Sequence, residues 1–176
     1  MRFHLNPGMK EQTEMTTMKK IDIGDIPELS RVASHIVKEH FDPIIGSEQN
    51  DYMISKFQSP QALQEQLEHG YRYYWLLKDD VRTGFCAFFP RDGKMYLSKF
   101  YILSTFRGQH LAGKMFSFIV EETKAESLDK IFLNVNKENI HVIAVYEHLG
   151  FKKIREEKTD IGEGFYMDDH VMEYCL

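Results

Sequence analysis

The sequence has little cysteine, no long apolar run and no excess of positive charge, and each absence excludes a class of protein. Its two cysteines, Cys86 and Cys175, lie far apart and form no CxxC pair, so we expect neither a disulfide framework nor a metal site. No apolar stretch approaches the roughly 18 residues that a membrane span requires, and the first residues contain none of signal-peptide length. These absences predict a cytoplasmic protein without a membrane partner.

The charge balance argues against nucleic-acid binding. The 176 residues include 22 Lys and Arg against 27 Asp and Glu, a formal net charge of −5, whereas nucleic-acid binders usually have a basic excess. The hydrophobic fraction of 43% and the aromatic fraction of 13% supply ample core material, which excludes general disorder. We therefore expect one compact domain over residues 17–176, preceded by a polar, methionine-rich, flexible tail over residues 1–16.

Hydrophobic periodicity predicts the secondary structure. A strand over residues 19–23 precedes a helix that begins near Asp25 and ends at Asp42 and Pro43, and two more helices follow over residues 49–57 and 60–68. Later strands are predicted over residues 71–78, 81–90, 94–103, 131–135, 151–158 and 165–176, and later helices over 108–127 and 139–149. This order favours a mixed sheet with helices on both faces.

The segment 99–114 joins a predicted strand to a long predicted helix. Gly108, Ala112 and Gly113 allow a ligand to approach the backbone N–H groups that the start of a helix leaves without acceptors. The helix dipole adds partial positive charge, so a diphosphate is a suitable ligand. The segment has neither the GxxxxGK[ST] pattern of a P-loop nor the GxGxxG pattern of a dinucleotide site. Taken alone, it is equally typical of a glycine-containing helix start without a ligand.

A second segment has a distinctive spacing: Asn139 is followed by Tyr146, and then by Gly150 and Phe151, in the pattern N-x6-Y-x3-G-F. Together with the segment RGQHLA at 107–112, it resembles the two signatures of the GNAT superfamily of acyl-CoA-dependent N-acyltransferases. The first signature is [Q/R]-x-x-G-x-[G/A], and His110 stands where it usually has its central glycine. The resemblance covers residues 17–176, since the predicted order of elements matches the family's sheet.

The resemblance implies an α+β fold with a central, mostly antiparallel sheet of six to seven strands, a splayed fourth and fifth strand, and helices on both faces. It also implies acetyl-CoA as the cofactor, with the amide of Ile102 as the oxyanion donor. The implied cofactor-binding residues are Tyr101, Ile102 and Leu103 on the pantetheine arm, Gly108, Gln109, His110, Leu111, Ala112, Gly113 and Lys114 on the pyrophosphate, and Arg107, Asn139 and Tyr146.

The resemblance further implies that Tyr146 is the general acid, because a thiolate leaves more easily when a positioned hydroxyl protonates it. A core tyrosine on an amphipathic helix is the alternative. The attacking amine must also lose a proton. Candidate bases are Glu39, His40, Asp168, Asp169 and His170, of which the first four are also candidate substrate-binding residues. Each is also explained as a solvated residue of a loop or helix end.

Residues 160–174 resemble the C-terminal hairpin of bacterial GNAT enzymes grouped with spermidine/spermine and diamine N-acetyltransferases. Asp160, Glu163, Asp168 and Asp169 would form an acidic rim suited to a polyamine. Ordinary acidic residues of a hairpin turn explain the same composition equally well.

Together these features predict an N-acetyltransferase that moves acetyl from acetyl-CoA to a primary amine of a small molecule, with a polyamine among the candidates. Because neither cysteine lies near the implied thioester site, we expect direct attack in a ternary complex. The alternatives are acetylation of an amino acid or a peptide N-terminus, a regulatory module that binds acyl-CoA without catalysis, and a structural domain on the same fold. C-terminal strands often pair between subunits in this family, which implies a homodimer.

Overall fold

The computed structural model describes residues 14–176, which form one seven-stranded sheet and five helices. The strands are β1 (Thr16–Lys20), β2 (Arg72–Lys78), β3 (Val81–Arg91), β4 (Lys94–Ile102), β5 (Lys130–Asn136), β6 (Lys152–Gly162) and β7 (Phe165–Cys175). The helices are α1 (Ile26–Ile45), α2 (Ser47–Phe57), α3 (Pro60–Glu68), α4 (Leu111–Ala125) and α5 (Ile140–Leu149).

The strands follow the spatial order β1-β2-β3-β4-β5-β7-β6. Every neighbouring pair is antiparallel except β4 and β5, which are parallel because α4 returns the chain between them. The predicted α+β class and the mostly antiparallel sheet are confirmed.

Two hydrophobic clusters lie on opposite faces of this sheet, so helices cover both faces as predicted. The first cluster joins α1 and α3 to β2 and β3 through the buried residues Leu29, Ala33, Ile36, Leu63, Tyr73, Trp75 and Phe85. The second joins α4 and α5 to β4, β5 and β7 through Leu97, Leu111, Met115, Ile119, Leu133, Ile143 and Met172. Removal of this apolar surface from water is the main force that holds the layers together.

A β-bulge in β4 changes the direction of its side chains. Ala87 pairs with Lys99 and Phe88 with Leu97, so Ser98 has no partner on β3. Before the bulge, Leu97 packs in the α4 and α5 cluster, whereas after it Lys99 points to the face of α1 and α3. The side chains of the later residues of β4 likewise point to the face opposite the one that a strand without a bulge would give them.

The strands β4 and β5 pair over a very short stretch. Met95 pairs with Ile131 and Tyr96 with Phe132, and no pairing between these strands is found beyond those residues. From Leu97 onward the two strands diverge, and a gap opens between their carboxyl ends. The predicted splayed pair is therefore confirmed.

Helix α2 is tied to the β6–β7 hairpin through backbone carbonyl oxygens. The hydroxyl of Tyr52 donates to the carbonyl oxygen of Ile161 over 2.6 Å, and Lys56 Nζ donates to the same oxygen. Gln49 Nε2 donates to the carbonyl oxygen of Tyr166 over 2.7 Å. These bonds hold the hairpin against the face of the sheet on which α1 and α2 lie.

The first strand was predicted too late in the sequence. Residues 1–13 lie outside the described residues, so the predicted tail is untested there. The end of that tail, at Thr16, already belongs to β1, which pairs with β2. Met15 N–H donates to Asp79 Oδ1 over 3.0 Å, and Asp79 N–H donates to the carbonyl oxygen of Met15 over 2.9 Å. Pairing with an existing strand therefore orders residues whose own sequence has no strand periodicity.

Helix α1 continues through the predicted stop at Asp42 and Pro43. It ends at Gly46, whose φ of 85° an L side chain rarely adopts. Pro43 has no N–H for the helical bond to the carbonyl oxygen of Glu39. In the same part of the helix, the side chain of Asn50 donates to the carbonyl oxygen of Val37 over 3.1 Å and to Asp42 Oδ1 over 2.7 Å. Among the helices of residues 14–176, none is both long and apolar enough to cross a membrane.

The close approach of β3 and β4 at Gly84 predicts the effect of a small substitution. A Cβ at this position would lie 2.3 Å from the carbonyl oxygen of Tyr101, so Gly84→Ala must push the two strands apart. We expect it to lower the free energy of unfolding by about 3 kcal/mol, measured by urea denaturation.

Gly113→Ala is the matched control, because an added Cβ meets nothing within 4 Å and the residue lies inside α4. This control should leave stability unchanged or raise it by up to about 1 kcal/mol. Equal stability of the two variants would contradict the prediction.

Candidate active site

A cavity of about 570 Å³ extends from the start of α4, through the gap between β4 and β5, to the face of the sheet that α1 and α2 cover. Among the predicted site residues, its walls include His40, Tyr101, Ile102, Arg107, Gly108, His110, Leu111, Ala112, Asn139, Tyr146 and Asp169. Its walls do not include Glu39, Leu103, Gln109, Gly113, Lys114 or Asp168. The structure thus brings most of the predicted site together.

Strand pairing determines which backbone groups of β4 face the gap. The N–H of Leu103 donates to the carbonyl oxygen of Thr83 on β3 over 2.9 Å, which fixes the phase of the antiparallel ladder. Because bonded and non-bonded pairs alternate, Tyr101 also bonds to β3, whereas Phe100 and Ile102 direct their N–H and C=O groups away from it. At these residues β5 has diverged, so the amides of Phe100 and Ile102 face the gap.

The pantetheine roles of the Tyr101 and Leu103 backbones stay predictions, although the N–H of Leu103 already bonds to Thr83 and the ladder directs the backbone groups of Tyr101 to β3. Sequence reasoning also missed Phe100, whose backbone has the same direction as that of Ile102. The signal was available: residues two apart in a strand direct their backbone groups to the same side.

The start of α4 has the backbone geometry of an anion site. Helix α4 begins at Leu111, three residues later than predicted. Gly108 has a φ of 76° and His110 a φ of 59° with ψ of 18°, so both adopt a left-handed conformation. The N–H groups of the first helical turn, from Leu111 to Lys114, have no acceptor within the helix, and Leu111 and Ala112 of this turn line the cavity. Backbone amides and the helix dipole there suit a diphosphate.

Three side chains of this loop are used within the protein. Arg107 Nε donates to the carbonyl oxygen of Ile102 over 3.2 Å, so Arg107 supports the loop. Gln109 Oε1 accepts from Lys78, and Lys114 Nζ donates to the hydroxyl of Thr16. Through Gln109 and Lys114, the loop is fastened to β2 and β1.

Asn139 lies buried at the start of α5, on the opposite side of the gap from β4. Its side-chain oxygen lies 3.1 Å from His40 Nε2, so a proton on that nitrogen is donated to the amide. Burial lowers the pKa of His40, which favours the neutral imidazole. This contact joins the end of α1 to α5 across the cavity.

Tyr146 lies on α5 and is 8% exposed. Its ring packs against Phe151, and its centroid lies 6.1 Å from that of Phe100 on β4. Burial raises the pKa of Tyr146, so the phenol keeps its proton at neutral pH. A protonated hydroxyl on the wall of the gap has the state that a general acid needs.

The acidic candidates differ in their partners and in whether they line the cavity. Asp168 pairs with Lys137 over 2.8 Å, and Glu39 Oε1 lies 3.4 Å from the hydroxyl of Ser104. Asp169 instead is 4% exposed and lines the cavity, and burial raises its pKa to about 6. Among residues 14–176, no three or more His, Cys, Asp or Glu side chains are grouped to hold a metal ion.

The predicted acidic rim does not form as a single surface. Asp160 Oδ1 accepts from the N–H of Gly162 within the hairpin, Glu163 occupies the turn with a φ of 55°, and Asp168 is neutralised by Lys137. Alternation along β7 places Asp168 and Asp169 on opposite faces of the sheet. Of these four acids, only Asp169 lines the cavity.

Sequence reasoning missed Lys99, a buried cation at the cavity wall. Its Nζ donates to Gln58 Oε1 over 2.9 Å, to Gln66 Oε1 over 3.1 Å and to the carbonyl oxygen of Phe57 over 3.3 Å. It therefore fastens the turn between α2 and α3 to β4. The bulge at Ser98 changes the face of the sheet to which the later side chains of β4 point. The sequence reads as one continuous strand there, so it does not indicate this change.

A mixed sheet with a splayed parallel pair beside the start of a helix is the arrangement that the resemblance implies for a protein of the acyltransferase class. Residues 39–151, more than half of the chain, match the acetyltransferase (GNAT) family. The chain therefore belongs to the acetyltransferase (GNAT) family, and the predicted family and its acetyl-CoA cofactor are confirmed.

Two curated relatives are similar over a shorter stretch. Spermine/spermidine N(1)-acetyltransferase of Bacillus subtilis strain 168 is 26% identical over 93 residues, which are 48% of this chain and 61% of the relative. A probable spermine N(1)-acetyltransferase of Bacillus subtilis subsp. natto has the same identity and coverage. This chain thus spans about 61% of the length of the curated relatives that it matches.

Solved structures show the same fold over nearly the whole chain. The PaiA N-acetyltransferase of Thermoplasma acidophilum, in complex with coenzyme A, has a TM-score of 0.75 at 19% identity, covering 92% of this chain and 99% of that one. The dodecameric spermidine N-acetyltransferase of Vibrio cholerae has a TM-score of 0.63 at 16% identity, with 91% and 93% covered.

The buried position of Lys99 predicts a pH-dependent stability. Burial lowers its pKa to about 7, below the value near 10.4 in an unfolded chain. Between these values the unfolded chain binds the additional proton, so the contribution of Lys99 to the free energy of unfolding rises with pH, by up to about 1.4 kcal/mol per pH unit. Urea denaturation should therefore show that the wild type gains stability relative to Lys99→Met between pH 7 and 9.

The exposed Lys152 supplies the matched control for this measurement. Lys152→Met should differ from the wild type by an amount that does not change with pH. If the stability difference between the wild type and Lys99→Met also did not change with pH, burial would not lower the pKa of Lys99.

Proposed function

We propose that the protein transfers acetyl from acetyl-CoA to a primary amine of a small molecule, by direct attack in a ternary complex. One observation supports this proposal most: a single cavity joins the anion-binding start of α4 to the opposite face of the sheet through the gap that Tyr146 borders. A donor seated at α4 and an acceptor entering from the α1 and α2 side would therefore meet beside Tyr146.

The residues of the gap fit the acetyl donor. The amides of Phe100 and Ile102 face the gap, where they would bind the thioester carbonyl and the pantetheine arm. The amides of the first turn of α4 would bind the pyrophosphate, and the buried amide of Asn139 would bind the arm from the other side. Acetyl-CoA supplies the activated acetyl group.

Tyr146 is the proposed general acid. Its protonated phenol would give a proton to the departing thiolate, whose parent pKa lies near 8.5. Because burial raises the pKa of Tyr146, the phenol is a poor acid unless the sulfur lies close, so transfer depends on the positioning that α5 provides.

The cysteines support direct transfer rather than an acetyl-enzyme. Neither Cys86 nor Cys175 is among the described residues that line the cavity. Cys86 is buried inside β3, and burial raises the pKa of its thiol, which disfavours the nucleophilic thiolate.

A polyamine is the candidate acceptor that the curated relatives favour, since both are described as acetylating spermine or spermidine. Asp169 supplies a carboxylate in the cavity for such a cation. An amino acid or a peptide N-terminus is the second candidate. Product analysis with spermidine, spermine, free amino acids and short peptides separates them: equal turnover of spermidine and a neutral amino-acid ester would contradict polyamine specificity.

Location in the cytoplasm and assembly as a homodimer remain predictions from the sequence. The exposed edge of β6 would allow strands of two subunits to pair, since β6 has β7 as its only neighbour in the sheet of the described chain. Sedimentation of the purified protein at several concentrations measures its oligomeric state.

The donor site is tested by stability in the presence of acetyl-CoA. A ligand at 100 times its Kd adds about 2.7 kcal/mol to the free energy of unfolding, which corresponds to several degrees in Tm. We expect this shift with acetyl-CoA on protein that is free of copurified coenzyme A. No shift would reject the donor site and favour a structural domain. A shift without transfer to any amine would favour a regulatory acyl-CoA-binding module.

The role of Tyr146 is tested by Tyr146→Phe, which removes only the hydroxyl. We expect kcat to fall by about 10² or more, with little change in the Kd for acetyl-CoA measured by calorimetry. Tyr174→Phe removes a hydroxyl from a tyrosine that packs on Phe151 outside the cavity wall, and it should keep the wild-type kcat. An unchanged kcat in Tyr146→Phe would remove Tyr146 from the acid role.

A further inference from the structure

Strand register places a group of polar side chains on the acceptor side of the cavity. Asn136 on β5, Asp169 on β7 and Glu157 on β6 are direct cross-strand neighbours, so their side chains share one face of the sheet. Asn134 lies two residues before Asn136 and shares that face, and its Nδ2 donates to Glu157 Oε2 over 2.8 Å. Asn134, Asn136 and Asp169 line the cavity.

Two carboxylates thus stand opposite each other, and of the two only Glu157 has an ion-pair partner among the described residues, with Arg155 Nη2 at 3.9 Å from its Oε1. Like charges directly opposite in a sheet are unfavourable, and Glu157 adds to the burial that raises the pKa of Asp169 to about 6. Asn134 and Lys137 lower the pKa of Asp169. Lys137, however, lies on the opposite face of the sheet, together with its ion-pair partners Asp168 and Glu156. Among the described residues, none forms an ion pair with Asp169.

Within residues 14–176, the other elements around the cavity form no ion pair with Asp169. Helix α2 contributes the uncharged Gln49, Met53 and Phe57, and β4 contributes the phenol of Tyr96. Among the charged or titratable groups of the cavity wall, His40 contacts Asn139, Arg91 lies over the ring of Tyr96, Arg107 bonds to the carbonyl oxygen of Ile102, and Lys99 bonds to three oxygens. The imidazoles of His110 and His141 also line the cavity. A cationic ligand would therefore supply the ion-pair partner that Asp169 lacks among the described residues.

The other candidate bases are less suitable for this role. Asp168 is neutralised by Lys137, and Glu39 lies outside the cavity wall. His170 lies on the opposite face, 3.8 Å from Glu156. His40 lines the cavity, but one of its ring nitrogens is held by Asn139.

We propose that Asp169 binds the ammonium group of the acceptor and takes its proton, and that Glu157 tunes Asp169 for this task. This inference rests on the proposed acetyl transfer, and it names the catalytic residue that activates the amine. Glu157 acts through Asp169 and is a positioning residue. The arrangement also selects acceptors, because an α-amino acid would place its own carboxylate beside this acidic pair, whereas a simple alkylamine would not.

The proton balance of the step is complete. Asp169 takes one proton from the ammonium, and the freed nitrogen lone pair forms the C–N bond to the acetyl carbonyl carbon. The C–S bond breaks, and its electron pair leaves on the sulfur. Tyr146 gives its proton to that sulfur and regains one from the amide nitrogen. Asp169 then releases its proton to water, so the reaction yields one amide, one thiol and one proton for each ammonium.

The pH dependence of kcat/KM with n-butylamine tests this role. In the wild type, kcat/KM should be flat from about pH 6 to 9 and fall below pH 6, where Asp169 is protonated. The Asp169→Asn variant cannot deprotonate a bound ammonium, so it can use only amine that is already neutral in solution. Its kcat/KM should therefore rise about tenfold per pH unit towards the amine pKa near 10. We expect a loss of about 10²–10³-fold at pH 7 that shrinks by pH 9. A loss that is equal at every pH would indicate a structural role and overturn the proposal.

Glu157→Gln provides a second variant with a different signature. Removing the like charge should lower the pKa of Asp169, so the acid limb of kcat/KM should move down by about 0.5–1 pH unit. Glu156→Gln is the matched control, because Glu156 is the next residue, points to the other face and pairs with Lys137. It should keep the wild-type profile. An acid limb that moves equally in both variants would overturn the role of Glu157.

A readout without turnover separates this inference from the proposed function. The carboxyl carbon of Asp169 is titrated by NMR in the wild-type protein, with and without n-butylamine. We expect a pKa near 6 that falls when the amine binds, because a nearby cation favours the carboxylate. If no amine is acetylated, the proposed function fails, and the NMR titration still decides whether Asp169 binds the ammonium. A pKa below 4 that does not respond to the amine would overturn the proposal.

Discussion

The parallel pairing of β4 and β5 stops after two residue pairs, and the cavity exists because of that stop. Backbone N–H and C=O groups that lose a strand partner must be satisfied by water or by a ligand. The amides of Phe100 and Ile102 are such groups, because the ladder with β3 leaves them free. The gap therefore has an unfilled strand-like edge on one wall and the helix α5 on the other. An extended chain with its own amides, such as pantetheine, matches that edge better than a compact ligand does.

Local sequence patterns predicted the elements well where tertiary contacts agreed with them, and failed where such contacts overruled them. Helix α3 was predicted with its correct bounds because Ser59 caps it and Pro60 begins it. Helix α1 continues past its proline, and the side chain of Asn50 on α2 donates to Asp42 and to the carbonyl oxygen of Val37 there. This contact between two helices is tertiary, so no local pattern predicts it.

The candidate site divides in the same way. The motif residues Tyr146 and Asn139 both line the cavity, Tyr146 from within α5 and Asn139 from its N-cap. The directions of the Tyr101 and Leu103 backbone groups depend on the phase of the β3–β4 ladder, and the burial of Lys99 was missed because Ser98 interrupts that ladder. The hydrogen-bond phase of a strand pair and the position of a β-bulge depend on how two strands pair with each other. The local sequence of one strand therefore does not predict them.

His110 stands at the position of the signature's central glycine, and it has a left-handed conformation that glycine adopts readily. Histidine tolerates a φ of 59° better than most residues, and its N–H and C=O groups have the same directions that glycine would give them. The loop geometry is thus retained with a side chain that the family's usual residue lacks.

The contact between α2 and the β6–β7 hairpin has an evolutionary consequence. Tyr52, Lys56 and Gln49 bind carbonyl oxygens of the hairpin, which every amino acid possesses. Substitutions in the hairpin therefore leave these attachments intact, and Asp169 belongs to the strand that they hold in place. A lineage descended from this protein could exchange the side chains that meet the acceptor, one at a time, while the frame around them persisted. Divergence of substrate preference among its descendants would then require little change elsewhere in the chain.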